Sequence, residues 1–159
     1  MYVSCDYASP IGVLCLVAQE NALVALLLKN DARLAHFDAS KVAKHAILQQ
    51  AQQQLDEYFQ GLRQNFTVPL ATQGTPFQQK CWQALTHIPY GHTRSYQQQA
   101  QMIQQPKAYR AVGGANAKNP ILIMIPCHRV IGASGQLVGF SSGIENKKFL
   151  LRHEQQVVC

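Results

Sequence analysis

Cys127 and His128, side by side, are the pair in this chain best suited to covalent chemistry. They follow an apolar run, Ile121 to Ile125, that ends at Pro126. The thiolate is the nucleophilic form of cysteine, and basic side chains beside a thiol help to make it. The β-branched run predicts a buried strand, and Pro126 ends pairing because it has no backbone donor. A thiol at the exit of such a strand is held rigidly yet can face a cleft. On this fragment alone an ordinary buried cysteine is the simpler reading. Neighbours on a strand point to opposite faces, so Cys127 and His128 meet only if the chain bends after Pro126 or a water bridges them. A cysteine-histidine site also needs a carboxylate to orient the ring. Glu154 is the candidate, carried on a last helix that the stripe Phe149-Leu150-Leu151 docks. Its alternative is a solvated helix end, where a carboxylate opposes the helix dipole. That local conflict is a hint of function.

The 159 residues suffice for one good core or two small domains. The formal charge is +6, from 14 Lys and Arg against 8 Asp and Glu. From Lys80 onward, Lys80, Arg94, Lys107, Arg110, Lys118, Arg129, Lys147, Lys148 and Arg152 face only Glu145 and Glu154. A basic half fits a polyanion such as nucleic acid, although plain solubility explains the charge equally well. Five cysteines, an odd number without a close pair, make no disulfide framework. A reducing, cytoplasmic setting fits them. No stretch is long and apolar enough to span a membrane, and the start lacks the pattern of a secretory signal.

The elements that must position these residues fall into two groups. Tyr2 to Tyr7, Gly12 to Val17 and Ala22 to Leu28 read as strands, with turns at Ser9 to Gly12 and at Asn21. Lys41 to Phe59 reads as a helix with one apolar stripe, ended by Gly61. Val68 and Leu70 read as a short extended segment. Thr72 to Pro76 is the linker. Residues 1-71 are therefore expected to form an α/β domain with a small antiparallel sheet and a helix. Residues 75-159 are expected to form a mostly α domain, and the whole is α+β.

In that second part, Phe77, Cys81, Trp82, Leu85 and Ile88 share one helix face. Ser95 predicts an N-cap for a helix over Tyr96 to Ile103, and Lys107 to Asn116 follows as another. The two form a helix-turn-helix across Gln104-Gln105-Pro106. The second helix carries Gly113 and Gly114, each costing roughly 1 kcal/mol relative to alanine. A face of Ala111, Gly113 and Gly114 lets the backbone approach something narrow, and Lys107 and Arg110 beside it suit a nucleic-acid groove. Tight packing between helices is the competing explanation. Asn119-Pro120 links this helix to the cysteine segment, with the Asn119 amide able to fix the turn.

Pro126-Cys-His-Arg-Val130, with Ser95-Tyr-Gln-Gln98, Tyr109-Arg-Ala-Val-Gly-Gly-Ala115, Gly139-Phe-Ser141 and Leu150-Leu-Arg-His-Glu154, resembles the O6-alkylguanine-DNA alkyltransferase family. The likeness is dense from about Thr75 to Glu154, with Ser9-Pro10-Ile11-Gly12 compatible before it. The resemblance implies a two-domain fold with a winged-helix-like second domain. It also implies irreversible, stoichiometric transfer of an alkyl group from O6-alkylguanine in double-stranded DNA to Cys127. His128, through a water, would take the thiol proton, Glu154 would support His128, and Tyr96 would donate to the guanine as charge develops. Asn119 would hold the recognition helix against the active segment. Arg110 would enter the base stack, and Ala111, Gly113, Gly114, Lys107 and Ser95 would line the DNA. Pro126, Phe140, Ser141 and Ser142 would line the base pocket.

The implied protein is a cytoplasmic monomer, not membrane-bound, that needs no cofactor. No metal is expected, because Cys5 and Cys15 lack a histidine at suitable spacing. Three departures stand out: Phe140 where a tyrosine is common, Ser142 where glycine is common, and Tyr109 where a small residue is usual. Ser142 is expected to narrow the pocket, so that methyl transfer outpaces benzyl transfer. A lesion binder of the same fold would not need Cys127, and a helix-turn-helix regulator would leave Cys127, His128 and Glu154 without a task.

Overall fold

A computed structural model describes residues 1–137 and 143–158. Contacts divide the chain into Met1–Gln73 and Gly74–Cys159. In the first unit, β1 (Tyr2–Ser9), β2 (Gly12–Ala18), β3 (Leu23–Leu28) and β4 (Ala39–Lys41) form one sheet in the order β3-β2-β1-β4. β1 and β2 pair antiparallel from Val3↔Ala18 to Ser9↔Gly12. The turn between them needs Gly12 at φ +112°, a backbone state that costs other residues. Ser9 braces it, its hydroxyl accepting from the Ile11 amide at 3.2 Å and donating to the Gly12 carbonyl at 2.6 Å.

Helix α1 (Ala46–Phe59) lays Ile47, Leu48, Ala51, Leu55 and Tyr58 against the sheet, where Leu14, Leu16, Leu23 and Leu26 are fully buried. The helix begins five residues later than the sequence predicts. Ala39–Lys41 instead extends the sheet parallel to β1, which makes it mixed rather than antiparallel. Lys41 donates to Asp6 on β1 at 3.2 Å, so a pairing outside the segment overrides its helical pattern. Gly61, at φ +79°, follows the helix end. The extended segment appears as a single bridge between Leu23 and Leu70.

The second unit opens with α2 (Pro76–Leu85), started by a reciprocal box between Thr75 and Gln78. Ser95 and Gln98 build the same box at α3 (Tyr96–Met102), as the sequence predicts. Each such cap is worth about 1 kcal/mol. Helix α4 (Tyr109–Ala117) follows, beginning after Lys107, and α5 (Ile144–Val158) closes the unit. A small parallel pair joins β5 (Arg94–Ser95) to β6 (Val130–Ile131). Buried polar groups set the helix register: the Trp82 indole donates to the Ala115 carbonyl at 2.9 Å. Gln99 and Asn116 exchange amide hydrogen bonds of 2.9 and 2.7 Å, a pairing between α3 and α4 that leaves no buried amide idle.

The predicted strand over Ile121 to Ile125 is not one. The run is wholly buried, but it coils into turns, with Met124 N donating to Leu122 O at 2.7 Å and Ile125 N to Ile121 O at 3.1 Å. Ile123 sits at φ +70°, an uncommon state for a β-branched residue. Asn119 closes this knot, donating to Ile125 O at 2.7 Å and accepting from Ile121 N at 3.0 Å. A continuous apolar run reports burial, and its periodicity does not distinguish a strand from a buried turn.

Candidate active site

After Pro126 the chain bends into a short 3-10 turn over Cys127–Arg129, with Cys127 N donating to Ile125 O at 2.8 Å. Of the two routes left open for Cys127 and His128, a bend after Pro126 or a bridging water, the bend is present. Cys127, His128 and Arg129 are all buried, and Cys127 retains about 5% exposure. Glu154, on α5, is buried as well, which removes the alternative of a solvated helix end.

Glu154 is a four-bonded hub. Its Oε2 lies 2.6 Å from His128 Nε2 and 3.1 Å from Arg129 Nη2, and its Oε1 lies 2.8 Å from Arg129 Nε. Gly91 N donates to the same Oε1 at 3.3 Å. Arg129 reaches further, donating from Nη1 to Ile88 O at 2.7 Å. An ionised carboxylate only accepts, so Nε2 of His128 carries the proton of that short bond. Burial alone would raise the Glu154 pKa, but the adjacent His128 and Arg129 outweigh it and hold the carboxyl well below its ordinary range. Burial lowers the His128 pKa, with Glu154 opposing and Arg129 and Lys147 adding to the fall. The pair is therefore a neutral imidazole donating to a carboxylate, and Nδ1 keeps its lone pair. That Nδ1 is buried and has no hydrogen-bond partner among the described residues.

Two further groups face the thiol. Lys147, on α5, is almost fully buried and donates to Val130 O at 2.6 Å. Its ammonium stands 5.9 Å over the Tyr96 ring. Burial pulls its pKa down to about 8, and charge at Cys127 works against that fall. Burial raises the pKa of Tyr96, and charge at Cys127 adds to the rise, so the phenol stays a proton donor. Tyr96, Cys127 and Lys147 thus share one electrostatic neighbourhood.

Asn119 braces the turn that delivers Pro126 and Cys127. Ser95 spends its hydroxyl oxygen on the α3 cap, accepting from Gln98 N at 3.0 Å. On α4, Arg110, Ala111 and Gly114 are exposed, Gly113 is half-buried, and Lys107 lies exposed just before the helix. A Cβ on Gly113 would touch only the Tyr96 ring at 3.6 Å, and one on Gly114 would meet nothing within 4 Å. Helix packing therefore explains neither glycine. The expected base-pocket residues Phe140, Ser141 and Ser142 lie outside the described residues, as does Cys159. Among the described residues, no group of three His, Cys, Asp or Glu could hold a metal.

Arg129 and Lys147 are the residues that sequence reasoning misplaced. Both counted toward a basic surface, and both are buried. A signal for Lys147 existed: Lys147, Leu150 and Glu154 recur at helical spacing, so two charges share the stripe that docks α5.

The chain matches two family profiles that together span nearly all of it. Residues 5–72 match the ribonuclease-like domain of 6-O-methylguanine DNA methyltransferase, and residues 76–156 its DNA-binding domain. A methylated-DNA–protein-cysteine methyltransferase of Methanosarcina mazei is 47% identical over 147 residues, covering 92% of this chain and 93% of the relative. The constitutive enzyme of that name from Bacillus subtilis is 44% identical over 151 residues, covering 92% of each. The crystal structure of the Mycobacterium tuberculosis O6-methylguanine methyltransferase superposes with a TM-score of 0.90 at 43% identity, over 98% of this chain and 94% of that one. A structure of the Mycobacterium tuberculosis OGT in complex with DNA superposes at 0.87, with 44% identity, over 98% and 93%. With a buried Cys-His turn, its carboxylate partner and a full-length match at this identity, the chain belongs to the 6-O-methylguanine DNA methyltransferase family.

Proposed function

We propose that this protein repairs DNA by transferring the alkyl group of O6-alkylguanine to Cys127, once per molecule. The observation that carries the reading is the buried His128–Glu154 pair beside Cys127, with Nε2 committed to the carboxylate at 2.6 Å. That arrangement leaves His128 Nδ1 as the basic atom. Through a water it accepts the proton of the Cys127 thiol, giving thiolate and imidazolium. The thiolate attacks the alkyl carbon; the S–C bond forms as the C–O6 bond breaks, and the bonding pair passes to the purine. Tyr96, held protonated, donates to the ring as that charge develops. The resulting thioether has no leaving route, so the protein is consumed. No cofactor takes part in these steps, because the DNA supplies the alkyl group.

The O6 atom of a paired guanine is stacked inside the duplex, so the base must leave the helix to meet a buried thiol. Helix α4 suits that task. Its two glycines are not required by packing, and Gly114 with Ala111 lets the backbone approach a minor groove. Arg110, exposed on the same helix, would enter the stack in place of the flipped base. A cytoplasmic setting accords with the free thiols of the described cysteines, Cys5, Cys15, Cys81 and Cys127, and no helix among the described residues is long and apolar enough to cross a membrane.

Incubation with duplex DNA carrying one O6-methylguanine, followed by intact-protein mass measurement, tests the reading. A gain of one methyl group, absent in Cys127→Ser, is expected. Binding to the lesion without a gain in mass would instead identify a lesion binder.

A further inference from the structure

We propose that Arg129 is a positioning residue for the acceptor thiol: by holding Glu154 in a bidentate ion pair, it keeps His128 an uncharged imidazole whose Nδ1 can accept the proton of Cys127. The inference rests on Cys127 being the acceptor.

A buried histidine next to a lone carboxylate has two ways to settle. It can stay neutral and donate one hydrogen bond, or it can become an imidazolium and form an ion pair. A carboxylate that has lost its water strongly favours the second, since it otherwise stands as an uncompensated buried charge. An imidazolium carries protons on both nitrogens and accepts nothing. In that state His128 would be useless as a base.

Arg129 changes the balance. It presents Nε and Nη2 to the two oxygens of Glu154 at 2.8 and 3.1 Å, within a buried pocket. Its positive charge is permanent, so Glu154 is neutralised without a proton on His128. The same charge also opposes protonation of the ring. Geometry keeps the guanidinium from turning away. Nη1 is tied to Ile88 O at 2.7 Å, and the group lies 5.6 Å from the Tyr90 ring centroid. The charged groups that act on His128 are Glu154 and Lys147 from α5 and Arg129 from its own turn. The loop after α2 contributes Tyr90, whose phenol feels Glu154 and Arg129 in turn. Among the charged ones, Glu154 alone favours the imidazolium. Arg129 is the cation that meets it directly.

The test is the protonation state of His128 in the whole protein without DNA, read from imidazole 15N shifts across a pH titration. In the unaltered protein His128 is expected to be neutral at pH 7, with the proton on Nε2. In Arg129→Gln its midpoint is expected to rise by about one pH unit or more. The acid limb of Cys127 alkylation by iodoacetamide, followed on the Cys127 peptide, should move up with it. Arg129→Lys, which keeps the charge, should leave His128 neutral. An imidazolium, or a proton on Nδ1, in the unaltered protein at pH 7 would overturn the proposal. So would an unmoved midpoint in folded Arg129→Gln. Should that variant fail to fold, the tautomer of the unaltered protein decides alone. Because no DNA is present, failure of methyl transfer beside the expected tautomer would count against the repair function and not against Arg129.

Discussion

Cys81 and Cys127 lie in the same unit, and both are buried, yet their surroundings differ in kind. Cys81 sits on the buried face of α2 with Trp82 and Leu85, and burial pushes its thiol up to about 11. Nothing there favours a thiolate. Cys127 sits on a 3-10 turn beside a buried histidine, a buried ion pair and a buried ammonium. Burial by itself makes a thiol inert; burial together with fixed charges makes a site. The two strand cysteines side with Cys81: burial raises both, and Cys5 is pushed up to about 11.

The largest effect expected from this contrast concerns the thiols themselves. Cys127→Ser should abolish methyl acceptance from O6-methylguanine DNA, whereas Cys81→Ala should retain it and lose roughly 1–3 kcal/mol of stability in urea unfolding. Methyl acceptance surviving Cys127→Ser would end the distinction.

Next comes the hub. Glu154→Leu strips Arg129 and His128 of their partner, and breaking a buried pair from one side costs about 3–5 kcal/mol. Thermal unfolding should show that loss. Methyl transfer should slow by far more than for any surface variant, a comparison that rate measurements on folded protein would make.

Lys147 sharpens the contrast through pH. Its folded pKa lies near 8, below its ordinary 10.5. Between those values the unfolded chain holds the proton and the folded one does not, so stability rises with pH across that window and is lost as pH falls toward 8. Relative to Lys147→Met, the unaltered protein should therefore gain up to roughly 3 kcal/mol between pH 8 and 10.5. Denaturant titrations of the two proteins at matched pH would reveal parallel curves if the ammonium is not buried in solution.

Asn119→Ala removes the bonds to Ile125 O and Ile121 N. With two buried backbone groups left unsatisfied, a loss of about 2–4 kcal/mol is expected in urea unfolding. Slower methyl transfer should accompany it, because the turn presenting Cys127 loses its brace.

The smallest effect carries the opposite sign. Gly114→Ala should stabilise the protein by roughly 0.5–1 kcal/mol, since a Cβ there meets nothing within 4 Å. It should nevertheless weaken duplex binding. Stabilisation without weaker binding would mean that α4 does not approach DNA through this face.

How much of this was legible in the sequence follows from what local pattern can report. The cap at Ser95, the turn at Gly12 and the apolar face of α2 depend on neighbouring residues, and the sequence shows them directly. The trio of Cys127, His128 and Glu154 was legible because its chemistry needs those residue types. Burial of charge was legible only in part. Lys147 shares the helical stripe of Leu150 and Glu154, whereas Arg129 looks like any solvated cation until the carboxylate that holds it is in place. The run from Ile121 to Ile125 signalled burial, but its turn depends on the Asn119 side chain and a left-handed Ile123. The start of α1 was missed because Ala39–Lys41 answers to β1, a partner distant in sequence.

Peptide-level mass analysis after reaction with excess O6-methylguanine duplex tests the central claim most directly. The account predicts one methyl group per protein molecule, all of it on the peptide containing Cys127, with Cys81 unmodified and no second round. Methyl groups shared between the two cysteines, or more lesions repaired than protein molecules present, would contradict it.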